Sequence, residues 1–112
     1  MNEDLYVLWT TDNPDTAEHM VFMYTHNGLK KGWWKQVTLI IWGASAKLAA
    51  ENSRIQMRLK EMMDDGVTVS ACRACAERLG AAEALEKLGI EVKYWGQPLT
   101  EILKTGKTLL SV

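Results

Sequence analysis

The sequence predicts a three-layer α/β/α domain built around a five-stranded, mostly parallel sheet. Three observations carry that expectation. Runs of near-continuous apolar residues alternate with segments whose apolar residues recur every three or four positions. The connections between them are short, and the implied order is βαβαβαβαβ with right-handed crossovers and helices on both faces. The 112 residues, 47% hydrophobic and 24% charged, suit one core, so residues 1–112 read as a single domain.

Each element has its own signal. Leu5 to Trp9 is apolar throughout, as in a strand covered on both faces. Thr10-Thr11-Asp12-Asn13-Pro14 follows, with Asn13 suited to cap a helix and Pro14 to its first position. Ala17, Met20, Val21, Met23 and Tyr24 form a helical stripe that Gly28 or Gly32 would stop. Val37 to Trp42 is the second strand, and Gly43-Ala44-Ser45 leads into a long helix. Leu48, Ile55, Leu59 and Met62 share one phase of that helix, with polar Asn52 on the same face as a point of bending. Asp64-Asp65-Gly66 closes it, and Val67 to Ala71 is the third strand, with Cys72 at its end. Short helices over Ala74–Leu79 and Ala82–Leu88 end at Gly80 and Gly89. Ile90 to Trp95 reads as the fourth strand, Leu99 to Leu103 as a helix entered through Pro98, and Thr108 to Val112 as the fifth strand.

Composition excludes several classes. Thirteen Lys and Arg against fourteen Asp and Glu leave a formal charge of −1, which argues against a dedicated nucleic-acid binder. The start, Met1-Asn2-Glu3-Asp4, is acidic where an export signal is basic, and apolar runs such as Leu39-Ile40-Ile41-Trp42 are far too short to span a bilayer. Two cysteines are too few for a secreted disulfide framework, so a cytoplasmic location without membrane partners is expected.

In open parallel sheets, ligands bind outside the carboxyl ends of the strands. Those ends gather Trp9, Thr11 and Asp12, then Trp42, Gly43 and Ser45, then Cys72 and Arg73, then Trp95 and Gln97. Thr11, Asp12, Trp42, Gly43, Ser45, Trp95 and Gln97 are therefore the candidate ligand-binding residues. Any one of the tryptophans, taken singly, is better explained as core. Ser45 has the small-residue setting of an anion-holding helix start, and equally that of a plain N-cap.

Cys72 is the leading candidate nucleophile. It precedes a short helix, where converging N–H groups and the positive end of the helix dipole favour the thiolate. Cys75 lies one helical turn on, either as a resolving thiol or as a small buried hydrophobe. A zinc site would need His19 and His26, which stand seven residues and about 10 Å apart along a helix, so no metal is expected. The thioredoxin reading of Cys-x-x-Cys lacks its aromatic and Gly-Pro context. Gly106-Lys107-Thr108 imitates a phosphate loop, but Glu101 stands where the loop needs glycine and the segment joins helix to strand, the wrong order. No cofactor is expected. Adjacent Trp33 and Trp34 cannot both enter one core from an extended segment, so at least one faces outward, which points to a homo-oligomer.

The stretches Val37-Thr38-Leu39-Ile40-Ile41-Trp42-Gly43-Ala44-Ser45, Gly66-Val67-Thr68-Val69-Ser70-Ala71-Cys72 and Gly96-Gln97-Pro98-Leu99-Thr100 resemble small members of the DsrE/DsrF-like family. The resemblance extends over nearly the whole chain. It implies a DsrE-like three-layer fold of the flavodoxin-like topology class, an oligomeric assembly, and sulfur-relay chemistry with a persulfide on Cys72. The chain departs from the relay pattern in following that cysteine with Arg73-Ala74-Cys75. The expected function is thus a sulfur-carrier or sulfurtransferase-like protein with sulfur-donor and sulfur-acceptor protein partners. Two alternatives stay open: a non-catalytic, oligomeric small-ligand-binding or assembly module, and a Cys72/Cys75 dithiol redox switch.

Overall fold

A computed structural model of the chain describes residues 3–112. Met1 and Asn2, read above for an export signal, lie outside the described residues. Five strands, β1 (Asp4–Trp9), β2 (Gln36–Ile41), β3 (Thr68–Cys72), β4 (Glu91–Lys93) and β5 (Thr108–Ser111), form one sheet in the order β4-β3-β2-β1-β5. All four ladders are parallel. Among the described residues, no helix is long and apolar enough to cross a membrane.

The order explains how the layers divide. The steps from β1 to β2, β3 and β4 all run the same way, so right-handed crossovers place their helices on one face. The step from β4 to β5 returns across the sheet and lays its helix on the other. The crowded face carries α1 (Pro14–Thr16), a π-helical segment (Ala17–Phe22), α2 (Met23–Lys30), α3 (Ala44–Glu51), α4 (Ser53–Asp64), α5 (Arg73–Arg78) and α6 (Ala82–Lys87). The second carries α7 (Gly96–Lys104) alone.

Strand alternation feeds two cores. Leu5, Val7, Trp9, Val37, Leu39, Ile41, Val69 and Ala71 join Phe22, Ile55, Leu59, Met62 and Leu85 on the crowded face. On the other, Ile40, Cys72, Trp95 and Ile102 form a small cluster edged by half-buried Tyr6, Leu8, Trp42 and Leu109.

Several boundaries differ from the sequence expectation for local reasons. The long second helix is two helices: Asn52 leaves the helical region (φ −105°, ψ 112°), and its side chain accepts the Ile55 N–H at 3.1 Å, starting α4 afresh. The first helix runs past Gly28 but ends at Lys30, so that Gly32, at φ 71°, is the glycine that stops it; it also contains the π segment, which no residue pattern marks. The strand expected over Ile90–Trp95 stops at Lys93, because the chain turns at Trp95 to begin α7. Pro98 falls inside the first turn of α7, where a missing N–H leaves no helical bond unmade.

Candidate functional site

At the carboxyl ends of the strands, β3 and β4 are neighbours whose continuations diverge, α5 toward the crowded face and α7 toward the other. Such a divergence is where open α/β sheets usually hold ligands. Here it is closed. Arg73 donates to the Val92 carbonyl at 2.6 Å and lies 3.7 and 3.9 Å from the Glu77 and Glu86 carboxylates. The Trp95 indole N–H donates to Ser70 Oγ at 2.8 Å, and Lys93 Nζ sits 4.6 Å from the ring centre.

Cys72, the leading candidate nucleophile in the sequence, is consequently buried. It is 4% exposed, in the cluster of Ile40, Trp95 and Ile102. The cause is strand parity: Ser70 and Cys72 face the same side of β3, the side that Trp95 and α7 cover. Although Cys72 stands at the N-cap of α5, its side chain makes no capping bond, and no hydrogen bond reaches its sulfur among the described residues.

Cys75 holds the amide contact instead. The Gly43 N–H donates to its Sγ at 3.0 Å, and the Gly43 carbonyl lies 3.4 Å from the same sulfur. Cys75 is half-buried, packed against the margins of both cores. Gly43 can aim its amide this way because it sits at φ 78°, ψ −143°, a region that residues with a Cβ rarely enter.

Ser45, expected as a ligand-binding residue, is fully buried and structural. Its hydroxyl donates to the Trp9 carbonyl at 2.6 Å, lies 3.1 Å from the Trp42 carbonyl and accepts the Trp42 N–H at 3.2 Å. It thereby ties the end of β1 to the turn after β2, and it has nothing left to offer a ligand. Thr11 is likewise occupied locally, its Oγ1 accepting the Asn13 N–H at 3.2 Å. Trp9 is core, packed edge-on against Phe22 with ring centres 4.9 Å apart. Trp42 is half-buried on the α7 face and Trp95 is buried there, so both serve as cover for that core. Gln97 is exposed in the first turn of α7.

Asp12, one of the expected polar residues, faces a substantial cleft. About 450 Å³ lies among Asp12, Ala44, Lys47, Leu48, Glu51, Asn52 and Leu79. Ala44, Lys47, Leu48 and Glu51 follow i, i+3, i+4, i+7 spacing, so they are one face of α3. Lys47, Glu51 and Leu79 went unnoticed in the sequence because helical spacing marks a face but does not say whether core or cleft lies against it.

The paired indoles divide as their geometry requires. Trp34 turns in and donates to Tyr24 Oη at 3.0 Å, whereas Trp33 is 57% exposed. His26 is fixed between Asp65, 2.6 Å from its Nε2, and the Arg58 guanidinium, 3.4 Å from its Nδ1, and so joins α2 to the end of α4. No group of three or more potential metal ligands occurs among the described residues.

No family model and no curated protein matches the chain. A solved structure does: a conserved protein of unknown function from Bacteroides thetaiotaomicron, 46% identical, superposing with a TM-score of 0.96 over 98% of this chain and 95% of that one.

Proposed function

The chain belongs to the same family as that conserved Bacteroides thetaiotaomicron protein, and on this shared scaffold we propose that it carries sulfane sulfur, with Cys75 as the accepting thiol. The observation that carries the reading is the Gly43 N–H directed at the Cys75 sulfur from 3.0 Å, at a half-buried position. An amide donor stabilises a sulfur anion, whether thiolate or persulfide. The carbonyl of the same residue, 3.4 Å from the sulfur, suits a resting neutral thiol, whose S–H it accepts. The loop thus supports the sulfur in either state, and a general base or the donor itself must take the proton.

The step conserves atoms and charge. Cys75, as the thiolate, bonds to the outer sulfur of a persulfide R–S–SH. The donor's S–S bond breaks and its electron pair leaves on R–S⁻, which takes up the proton that Cys75 released. The products are Cys75–S–SH and R–SH, with no net oxidation. Cys72, in the apolar cluster against which Cys75 packs, is the nearby second thiol that a dithiol exchange would recruit. Free thiols of this kind fit a reducing cytoplasm. The resemblance to the DsrE/DsrF-like family supports sulfur handling, with the acceptor moved by one turn of α5. The homo-oligomer expected from the paired indoles falls, in this proposal, to exposed Trp33.

The test is incubation with inorganic polysulfide followed by peptide mapping by mass spectrometry. The added sulfur is expected on Cys75, retained in Cys72→Ser and lost in Cys75→Ser. A Cys75→Ser protein that gains sulfane sulfur as readily as the parent would overturn the assignment.

A further inference from the structure

Many charged side chains of the protein are paired: Arg54 with Glu18, Arg58 with Glu61, Lys87 with Glu83 and Lys93 with Glu91. Asp12, Lys47 and Glu51, all exposed, are among the several that are not. All three line the 450 Å³ cleft, and none makes a hydrogen bond or ion pair with its side chain among the described residues. Lys47 and Glu51 stand four residues apart on α3, the spacing of a helical ion pair, yet no such pair forms. Leu48 and Leu79 supply apolar wall beside them. The cleft therefore presents one cation and two carboxylates around a short hydrophobic surface, in a volume within the range of small-molecule sites.

Neither Gly43 nor Cys75 lines the cleft, but residues close to them in the chain do. Ala44 follows Gly43, the residue bonded to Cys75 Sγ, and Leu79 lies one turn of helix beyond Cys75. We infer that the cleft receives a zwitterionic α-amino-acid thiol derivative, Lys47 taking its carboxylate and Asp12 with Glu51 its ammonium. Resting on the reading above, this makes the sulfur donor a low-molecular-weight amino-acid persulfide. The transfer is the one already written, with R the cysteinyl group.

S-Methylcysteine carries both charged groups but no transferable sulfur, so it tests the cleft apart from the chemistry. Titrated into the full chain and followed by amide NMR, it is expected to shift the signals around Asp12, Lys47, Glu51 and Leu79. In Lys47→Glu its affinity should fall by about tenfold or more, since a charge pair becomes a repulsion. Shifts absent from those residues, or affinity unchanged in Lys47→Glu, overturn the inference. Loading then supplies the second readout: cysteine persulfide should modify Cys75 faster than polysulfide, and Lys47→Glu should reduce the ratio of the two rates. An unchanged ratio also counts against the cleft. S-Methylcysteine bound in the cleft with no sulfur on Cys75 from either donor would leave the cleft assignment intact and remove the Cys75 reading.

Discussion

Trp95 donates its indole N–H to Ser70 Oγ at 2.8 Å, and this bond seals the carboxyl end of β3 over Cys72. Ser70 Oγ in turn lies 2.9 Å from a Glu91 carboxylate oxygen, so the seal joins α7, β3 and β4 through one hydroxyl. The two cysteines are therefore three residues apart in sequence and unequal in access.

Limited alkylation of the native protein should reveal that inequality. Iodoacetamide below stoichiometric amounts is expected to label Cys75 first, with Cys72 labelled readily only after denaturation. Tryptic cleavage after Arg73 puts them on separate peptides, which mass spectrometry distinguishes. Equal labelling of both in the native state would contradict the burial of Cys72.

Replacing the seal should redistribute reactivity. Trp95→Phe keeps a ring but removes the donor, leaving the Ser70 hydroxyl without its indole partner. A loss of about 1–3 kcal/mol in unfolding free energy is expected for a buried bond of this kind. In the same variant, Cys72 labelling should accelerate relative to Cys75. Stability lost without any change in that ratio would mean that Ile40 and Ile102 suffice to cover the sulfur.

Gly43→Ala separates strain from space. A Cβ there would meet Thr10 no closer than 3.9 Å, so room exists, but φ of 78° is unfavourable for alanine. The expected destabilisation is about 1–3 kcal/mol, measured by denaturant unfolding. Relaxation of the turn would also carry the amide away from Cys75, lowering its rate of persulfide formation more than that of an unrelated surface thiol.

Ser45→Ala tests the reading of that hydroxyl as a tie between strands. It removes the donor to the Trp9 carbonyl and the acceptor of the Trp42 N–H at a fully buried position. A decrease of about 1–3 kcal/mol in stability is expected, with cleft binding by S-methylcysteine retained in the folded fraction. Loss of binding without loss of stability would instead return Ser45 to the ligand-binding set.

Much of the fold was legible because each signal was local. Leu5–Trp9 and, but for Thr38, Val37–Trp42 announced themselves as strands by near-continuous apolarity, and Asn13-Pro14 marked a helix start that the structure keeps. What was not legible depends on distant partners. The Gly43-Ala44-Ser45 turn was identified, but the Ser45 hydroxyl is satisfied by Trp9, 36 residues earlier. Cys72 was placed correctly at a strand end, yet its burial follows from α7 lying on that face. That depends on strand order, which no spacing within the chain encodes. Cys75 was the reverse case: its partner, Gly43, comes from the turn after another strand, so an alanine-flanked position on a short helix gave no hint of it.

The unequal dressing of the sheet has a mechanical corollary for β2. Leu39 and Ile40 are consecutive and both fully buried, yet they answer to separate interiors, one roofed by many helices and the other by a single one. Truncating either to alanine should cost about 2–5 kcal/mol. Because the two side chains point to opposite sides and belong to separate clusters, the double replacement should destabilise by close to the sum of the singles. Sequence adjacency here is no guide to energetic kinship.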